Sequence, residues 1–310
     1  MDRRIDQMGW VQRSRHLGVL GTVVEVSSVA ADESSHDIAN AAVLSEVERL
    51  QRVFDVFDER SELRCWERGE VTPSTDLVRV LMLAERWRVR SRGVFDPASA
   101  SLTRAWDAGT ARGAIPTDEE LNRIVQTIAA LERPAPPAWH PPAVPYSLNA
   151  IAKGWIVDRA VEAGWGAADL EAVIVNAGGD LVHWGPSAVR VGIEDPLAPY
   201  DNVAPLLTVA LQDAALATSG GARRGWQIGE TWYSHVLDAR TGRPVDHHAS
   251  VSIVAPDAAT ADVVATIVAV LRSEEALRFV DNLEEVRCCL VSSSGDVVWS
   301  EGSPVLSGGS

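Results

Sequence analysis

Positive charge is in short supply in this chain. Its 28 lysine and arginine residues stand against 43 aspartate and glutamate residues, a formal net charge of −15. A surface of that sign repels nucleic acid and anionic membranes unless local basic patches intervene, so nucleic-acid binding is set aside. Cysteine is scarcer still. Cys65, Cys288 and Cys289 show no zinc or redox spacing, and an adjacent pair in a strand points to opposite faces, so they read as core residues of a reducing compartment. No apolar run approaches the ~20 residues of a membrane span, so no transmembrane segment is expected. The opening MDRRIDQMGWVQRSRH lacks the apolar region of a signal peptide, and no lipobox cysteine follows. The chain is therefore expected to be cytoplasmic as given, or an exported form whose leader has been trimmed. Neither a Walker motif nor a dinucleotide fingerprint is present, which leaves a Rossmann fold without support.

What is present suffices for a sizeable core: 310 residues, 46% of them hydrophobic and 23% charged. Such a length forms one large domain or two joined halves. Residues 17–300 read as a single domain, with a flexible N-terminal segment at 1–16 and a flexible Gly-Ser tail at 301–310. Leu17 to Val26 predicts a first strand. Asp37 to Phe57 carries apolar residues at helical spacing, and Thr75 to Ser91 predicts a second amphipathic helix with Ser74 or Thr75 as its cap. Glu119 to Ala130 predicts a third. Six prolines between Glu132 and Pro145 make that stretch an extended connector rather than a domain boundary. Further strands are expected at Glu171–Asn176, Val189–Glu194, Leu206–Leu211 and Ser250–Val254, and a terminal hairpin from Glu285 to Ser300 turning at Ser294-Gly295-Asp296. Strands and helices without a regular βαβ rhythm indicate the α+β class.

The chemistry gathers between Ala217 and Thr266. Thr218-Ser219-Gly220-Gly221 is a hydroxyl- and glycine-rich turn of the kind that lets backbone N–H groups approach a phosphate, and Arg223 and Arg224 follow at once. His235 follows a strand-like Trp232-Tyr233 and precedes Asp238-Ala-Arg-Thr-Gly242-Arg-Pro244, a tight reversal. His247 and His248 fall in an exposed-looking turn and receive no role. Ala258 to Leu271 reads as a helix in which Asp262 and Thr266, four residues apart, project oxygens from one face; hard oxygen ligands suit Mg2+. Upstream, Ser147-Leu-Asn-Ala150-Ile-Ala-Lys153-Gly154 enters a helix running to about Ala163, and a cation with free N–H groups at a helix start attracts a pyrophosphate.

In order and spacing, these segments resemble the ApbE flavin transferases, the FAD:protein FMN transferases. The resemblance rests on T-S-G at 218–220, S-H-V-L-D-A-R-T-G-R-P at 234–244 and A-T-A-D-V-V-A-T at 259–266. The lysine segment with Val157-Asp158 and Asn176-Ala-Gly178-Gly179-Asp180 extend it, so that it runs from about Gly21 to Trp299. It implies a fold of antiparallel sheets with packed helices, of the T-fold kind. It also implies a metal site of Asp262, Thr266 and the Ala150 carbonyl, with Lys153 on FAD. Leu20 stands where the family commonly has methionine. Phe57 stands for an aromatic associated with the isoalloxazine ring, and reads equally as a core residue. Val94, Phe95 and Asp96 correspond to a turn lining the flavin site, although Asp96 also suits a cap for the next element. Ser147 replaces an aspartate that binds FAD in the family. The glycines at 178 and 179 read as structural. Thr218, Ser219 and Arg223 are assigned to the phosphates, and His235 to the base or to orienting the acceptor, since histidine titrates near neutral pH. The implied activity is Mg2+-dependent transfer of FMN from FAD to a Thr or Ser hydroxyl of an acceptor flavoprotein, with release of AMP. An FAD pyrophosphatase and a non-catalytic FAD-binding protein are the alternatives.

Overall fold

A computed structural model describes residues 10–198, 203–220 and 224–308. The chain opens with β1 (Trp10–Val19), β2 (Thr22–Ala30), α1 (Glu33–Phe54), α2 (Glu62–Glu67) and α3 (Thr75–Arg90). After a 3-10 turn at Pro97–Ser99 come α4 (Ala100–Arg112), α5 (Asp118–Ala129) and α6 (Asn149–Ala167). Strands β3 (Leu170–Ala177), β4 (Asp180–Trp184), β5 (Val189–Ile193), β6 (Leu207–Leu211) and β7 (Ala214–Ser219) follow, then β8 (Gly225–Ile228), β9 (Thr231–Ser234), β10 (Leu237–Asp238), β11 (Arg243–Pro244) and β12 (Ser250–Ala255). The last elements are α7 (Ala258–Val270), α8 (Ser273–Asp281), β13 (Arg287–Val291), β14 (Val297–Trp299) and β15 (Val305–Gly308).

An eight-stranded sheet in the order β1-β2-β3-β4-β7-β12-β13-β14 forms the frame, with every neighbouring pair antiparallel. Helices α1, α6 and α7 cover one face. Val26, Val173, Val175, Val182 and Ile253 face them and join the main core. On the opposite face, Leu181, Leu216, Cys289 and Val291 pack on Ile193, Leu207, Val209 and Leu211, which belong to the small sheet β15-β6-β5. The cysteine pair therefore divides as strand geometry requires: Cys288 enters the helix-side core and Cys289 the other. This antiparallel α+β architecture bears out the expected class.

Four corrections concern the two ends and one turn. The predicted first strand, Leu17–Val26, is the middle of a hairpin. Leu20 and Gly21 both adopt positive φ, 53° and 67°, the backbone of a two-residue hairpin turn. Residues 10–16, expected to lie outside the folded unit, form the outer part of β1. Polar contacts to α1 hold them: Ser14 Oγ lies 3.0 Å from His36 Nε2, and His16 Nε2 lies 2.9 Å from Asn40 Oδ1. Residues 305–308 of the expected tail pair with β6. His248, expected in an exposed turn, is buried with Nε2 2.9 Å from the Leu271 carbonyl oxygen.

The helices begin where their caps dictate. Ser74 accepts from the Leu77 amide at the start of α3, as expected, while Asp32 accepts from the Ser35 amide and starts α1 four residues before the predicted Asp37. The proline-rich connector is tied down rather than free. Trp66 Nε1 donates to the Trp139 carbonyl at 2.8 Å, and the Tyr146 amide donates to Glu67 Oε1 at 2.7 Å. Arg133 makes two 2.8 Å bonds to the Asp96 carboxylate. Among the described residues no helix is long and apolar enough to cross a membrane.

Candidate functional site

The centre of the molecule is the crossing of α6 and α7. A Cβ at Gly154 would sit 2.2 Å from the Ala258 carbonyl oxygen and 2.7 Å from the Ala259 Cα, so only glycine lets the two backbones approach this closely. The Gly154 amide donates to Asp262 Oδ2 at 3.2 Å. One turn further along α6, the Asp158 carboxylate accepts from the amides of Ala258 and Ala259 at 2.7 and 2.9 Å. Moving up α6 thus means moving down α7, and the helices run antiparallel at this contact. Stepping back one turn on α6 reaches Ala150; stepping on one turn along α7 reaches Thr266. Of the thirteen residues of α7, ten are buried. The three that keep part of their surface are Thr260, Asp262 and Thr266; Thr260 lies on another side of the helix, beside Arg86 and Asn282, while Asp262 and Thr266 share one side.

Lys153, the single lysine of the chain, points from α6 to β4, its Nζ 2.8 Å from Asp180 Oδ2. Asp180 is 2% exposed and enters β4 directly after Gly178 and Gly179, both at positive φ. Gly178 is structural as predicted, since a Cβ there would meet Thr22 Oγ1 at 2.3 Å. The turn also delivers a carboxylate to the lysine, a role the sequence reading did not give it. Burial works against the Lys153 charge, but the Asp180 and Asp262 carboxylates outweigh it and hold its pKa above the ordinary value. Burial lifts Asp180 against the pull of Lys153. Burial, then repulsion from Asp180, pushes Asp262 well above the usual carboxylate range. Burial likewise raises Asp158 to about 7 although two amides favour its charged form. Asp180 thus pairs directly with Lys153 and also feels the Arg224 charge, while Asp262 lies within electrostatic reach of both Lys153 and Asp180.

Thr218 and Ser219, expected in a glycine-rich turn, are the last two residues of strand β7, and Gly221 lies outside the described residues. Thr218 Oγ1 is 2.8 Å from Ser252 Oγ on the neighbouring β12, and Ser219 ends the strand. Arg223 lies outside the described residues. Arg224 is described, and its charge acts on both Lys153 and Asp180. His235 folds back on it, with its amide and its Nδ1 at 3.2 and 3.1 Å from the Arg224 carbonyl oxygen. A carbonyl only accepts, so Nδ1 carries the proton and Nε2 bears the lone pair. Partial burial lowers the His235 pKa, with the Arg224 charge pushing the same way and its carbonyl opposing. The D-A-R-T-G turn is structural: Asp238 is bound by Arg240 Nε and Nη2 at 2.9 Å, and the Gly242 carbonyl accepts from Trp106 Nε1 at 2.9 Å.

The remaining predicted residues fall into two groups. The Ser147 amide donates to the Pro97 carbonyl at 2.7 Å, which brings the Val94–Pro97 turn beside the lysine segment. The side chains of Val94 and Phe95 are buried in the core, and the Asp96 carboxylate is committed to Arg133 and to the Ala98 amide. That turn can offer a ligand its backbone, and Asp96 acts as the cap its sequence also allowed. Leu20 is half-buried at the hairpin tip, whose neighbour Thr22 touches Gly178. Phe57 is 90% exposed on the loop after α1, which excludes the core role and leaves its ring free. Two surface cavities lie elsewhere, one beside Arg287 and the other beside Arg86 and Asn282. Among the described residues no three His, Cys, Asp or Glu side chains cluster as metal ligands.

A sequence model of the ApbE family matches residues 20–290. The chain belongs to the ApbE family. Among curated ApbE relatives, the FAD:protein FMN transferase of Rhodobacter capsulatus is 29% identical over 83% of this chain, and that of Treponema pallidum 31% identical over 64%. The chain spans 51% and 60% of those proteins' own lengths. A crystal structure of an ApbE protein from Thermotoga maritima matches with a TM-score of 0.80 at 24% identity, covering 94% of this chain and 97% of that one. The ApbE fold therefore extends over nearly the whole molecule.

Proposed function

We propose that this chain transfers FMN from FAD to a Thr or Ser hydroxyl of an acceptor flavoprotein, releasing AMP. The observation that carries the reading is the junction of Lys153, Asp180 and Asp262 within one ApbE fold, with Arg224, which acts on Lys153 and Asp180, bonded through its carbonyl to His235. In the reaction the acceptor oxygen attacks the FMN phosphorus, a new P–O bond forms, and the bond to the bridging oxygen breaks so that AMP leaves with that oxygen. Lys153 holds phosphate oxygens as a fixed cation, and Asp180 keeps it charged and aimed. Arg223 and Thr218 take further phosphate oxygens. His235 Nε2, which bears the ring's lone pair when Nδ1 bonds the Arg224 carbonyl, accepts the acceptor's proton.

The donor set suits a hard divalent cation: the Asp262 carboxylate, the Thr266 hydroxyl and the Ala150 carbonyl are oxygen donors on facing helices, and Asp262 and Thr266 keep part of their surface on the otherwise buried α7. These residues would hold Mg2+, which when bound neutralises charge on the pyrophosphate. One observation favours a second reading. His235 is exposed to solvent, and a base open to water accepts a proton from water as readily as from a hydroxyl, which would give an FAD pyrophosphatase. Chromatographic measurement of AMP from FAD and Mg2+, with and without an acceptor, separates them. Release that needs the acceptor supports transfer, equal release without it supports hydrolysis, and no release refutes both.

A further inference from the structure

Asp158 has no part in the mechanism above, yet it is a buried carboxylate at the centre of the site's framework. Both of its oxygens are used, at 2.7 and 2.9 Å, by the first two amides of α7. Asp257 takes the third amide, that of Thr260, at 2.7 Å. The cap from Asp257 is local and moves with α7, whereas Asp158 belongs to α6 and ties the two helices together. It sits one turn beyond Gly154, whose lack of a side chain lets the backbones touch and whose amide reaches Asp262. The contacts at 158 and 154 therefore act as two pins along one antiparallel crossing. Two pins fix both the spacing and the axial register of α7, and a helix slides by 1.5 Å per residue when register is lost.

We infer that Asp158 is a positioning residue for the divalent-cation site, clamping the start of α7 to α6 so that Asp262 and Thr266 stand level with the Ala150 carbonyl. The inference rests on the metal reading given above. Its ground is that Ala150 lies on α6 and the other two ligands on α7, so the site is only as well formed as the register between those helices. A helix cap of purely local value would stabilise α7 without affecting where it lies.

The test is direct binding of Mn2+ to the metal-free protein, followed by the loss of free Mn2+ signal in electron paramagnetic resonance, with no turnover involved. Asp158→Ala should weaken Mn2+ by about 10–100-fold, the usual effect of losing a partner that orients metal ligands. FAD binding in chelator should be unchanged, and amide exchange at Ala258 and Ala259 should quicken. Asp158→Asn keeps one acceptor and should weaken Mn2+ less; it decides the matter should circular dichroism show the alanine variant unfolded. Parent-like Mn2+ affinity in the folded Asp158 variants, alongside a loss in Asp262→Ala, would overturn the clamp while leaving the metal site standing. Parent-like affinity in Asp262→Ala would overturn the metal site and the clamp with it.

Discussion

Replacing Gly154 by alanine sets two effects of opposite sign against each other. In an ordinary helix interior the change stabilises by about 1 kcal/mol, because alanine loses less backbone freedom than glycine. Here the added Cβ would stand 2.2 Å from the Ala258 carbonyl oxygen and 2.5 Å from its carbon, whereas a carbon normally approaches a carbonyl oxygen to about 3.3 Å. The obstacle is backbone, so the helices themselves must part by about 1 Å. Overpacking of this kind costs about 1–3 kcal/mol. The parting also stretches the Gly154 bond to Asp262 and the Asp158 bonds to α7, each worth about 1 kcal/mol. The losses exceed the helix gain by about 3–5 kcal/mol, which for a chain of this size lowers the melting temperature by about 5–8 °C. Thermal unfolding followed by circular dichroism reads this directly. A variant as stable as the parent, or more so, would refute the tight crossing on which the site's geometry depends.

Three further outcomes follow from the packing of charged and polar groups. His183 is fully buried, both ring nitrogens lack a protein partner, and burial lowers its pKa against the opposing Asp213. Its folded pKa thus lies below the unfolded value of about 6.5, so its contribution is intact above that pH and lost as pH falls below it. Urea unfolding at about pH 7.5 and pH 5 should show a smaller acid loss in His183→Leu than in the parent; equal losses would contradict this. Asp96→Asn should cost about 3 kcal/mol, as expected for removing one member of a buried ion pair, and should open residues 132–145 to limited proteolysis. Unchanged stability would free Asp96 for a ligand role. Because Lys153 is the single lysine, amine acylation reports on it alone apart from the chain's N-terminal amine. FAD should slow its modification as read by mass spectrometry, and no protection would remove Lys153 from the nucleotide site.

The parts of this architecture that local chemistry governs were legible in the sequence. Ser74 announces α3, the apolar run in Glu171–Asn176 announces β3, and the spacing of Asp262 and Thr266 puts two partly exposed oxygens on one side of a buried helix. What escaped depends on partners distant in the chain. β1 has no apolar face to reveal it because serine and histidine contacts to α1 hold it. Asp96 meets Arg133 across 37 residues, and Asp158 meets α7 across 100. Asp180 was hidden by its setting. A glycine pair is sufficient explanation for a turn, and nothing local tells that the next residue faces a lysine on another element.

Flavin fluorescence of an acceptor protein in a denaturing gel, after incubation with FAD and Mg2+, tests the central claim most directly. The expected result is a fluorescent acceptor carrying the added mass of FMN on a Thr or Ser, formed together with AMP and absent when Asp262→Ala replaces the parent. An acceptor labelled equally well by Asp262→Ala, or AMP formed while the acceptor stays dark, would contradict it.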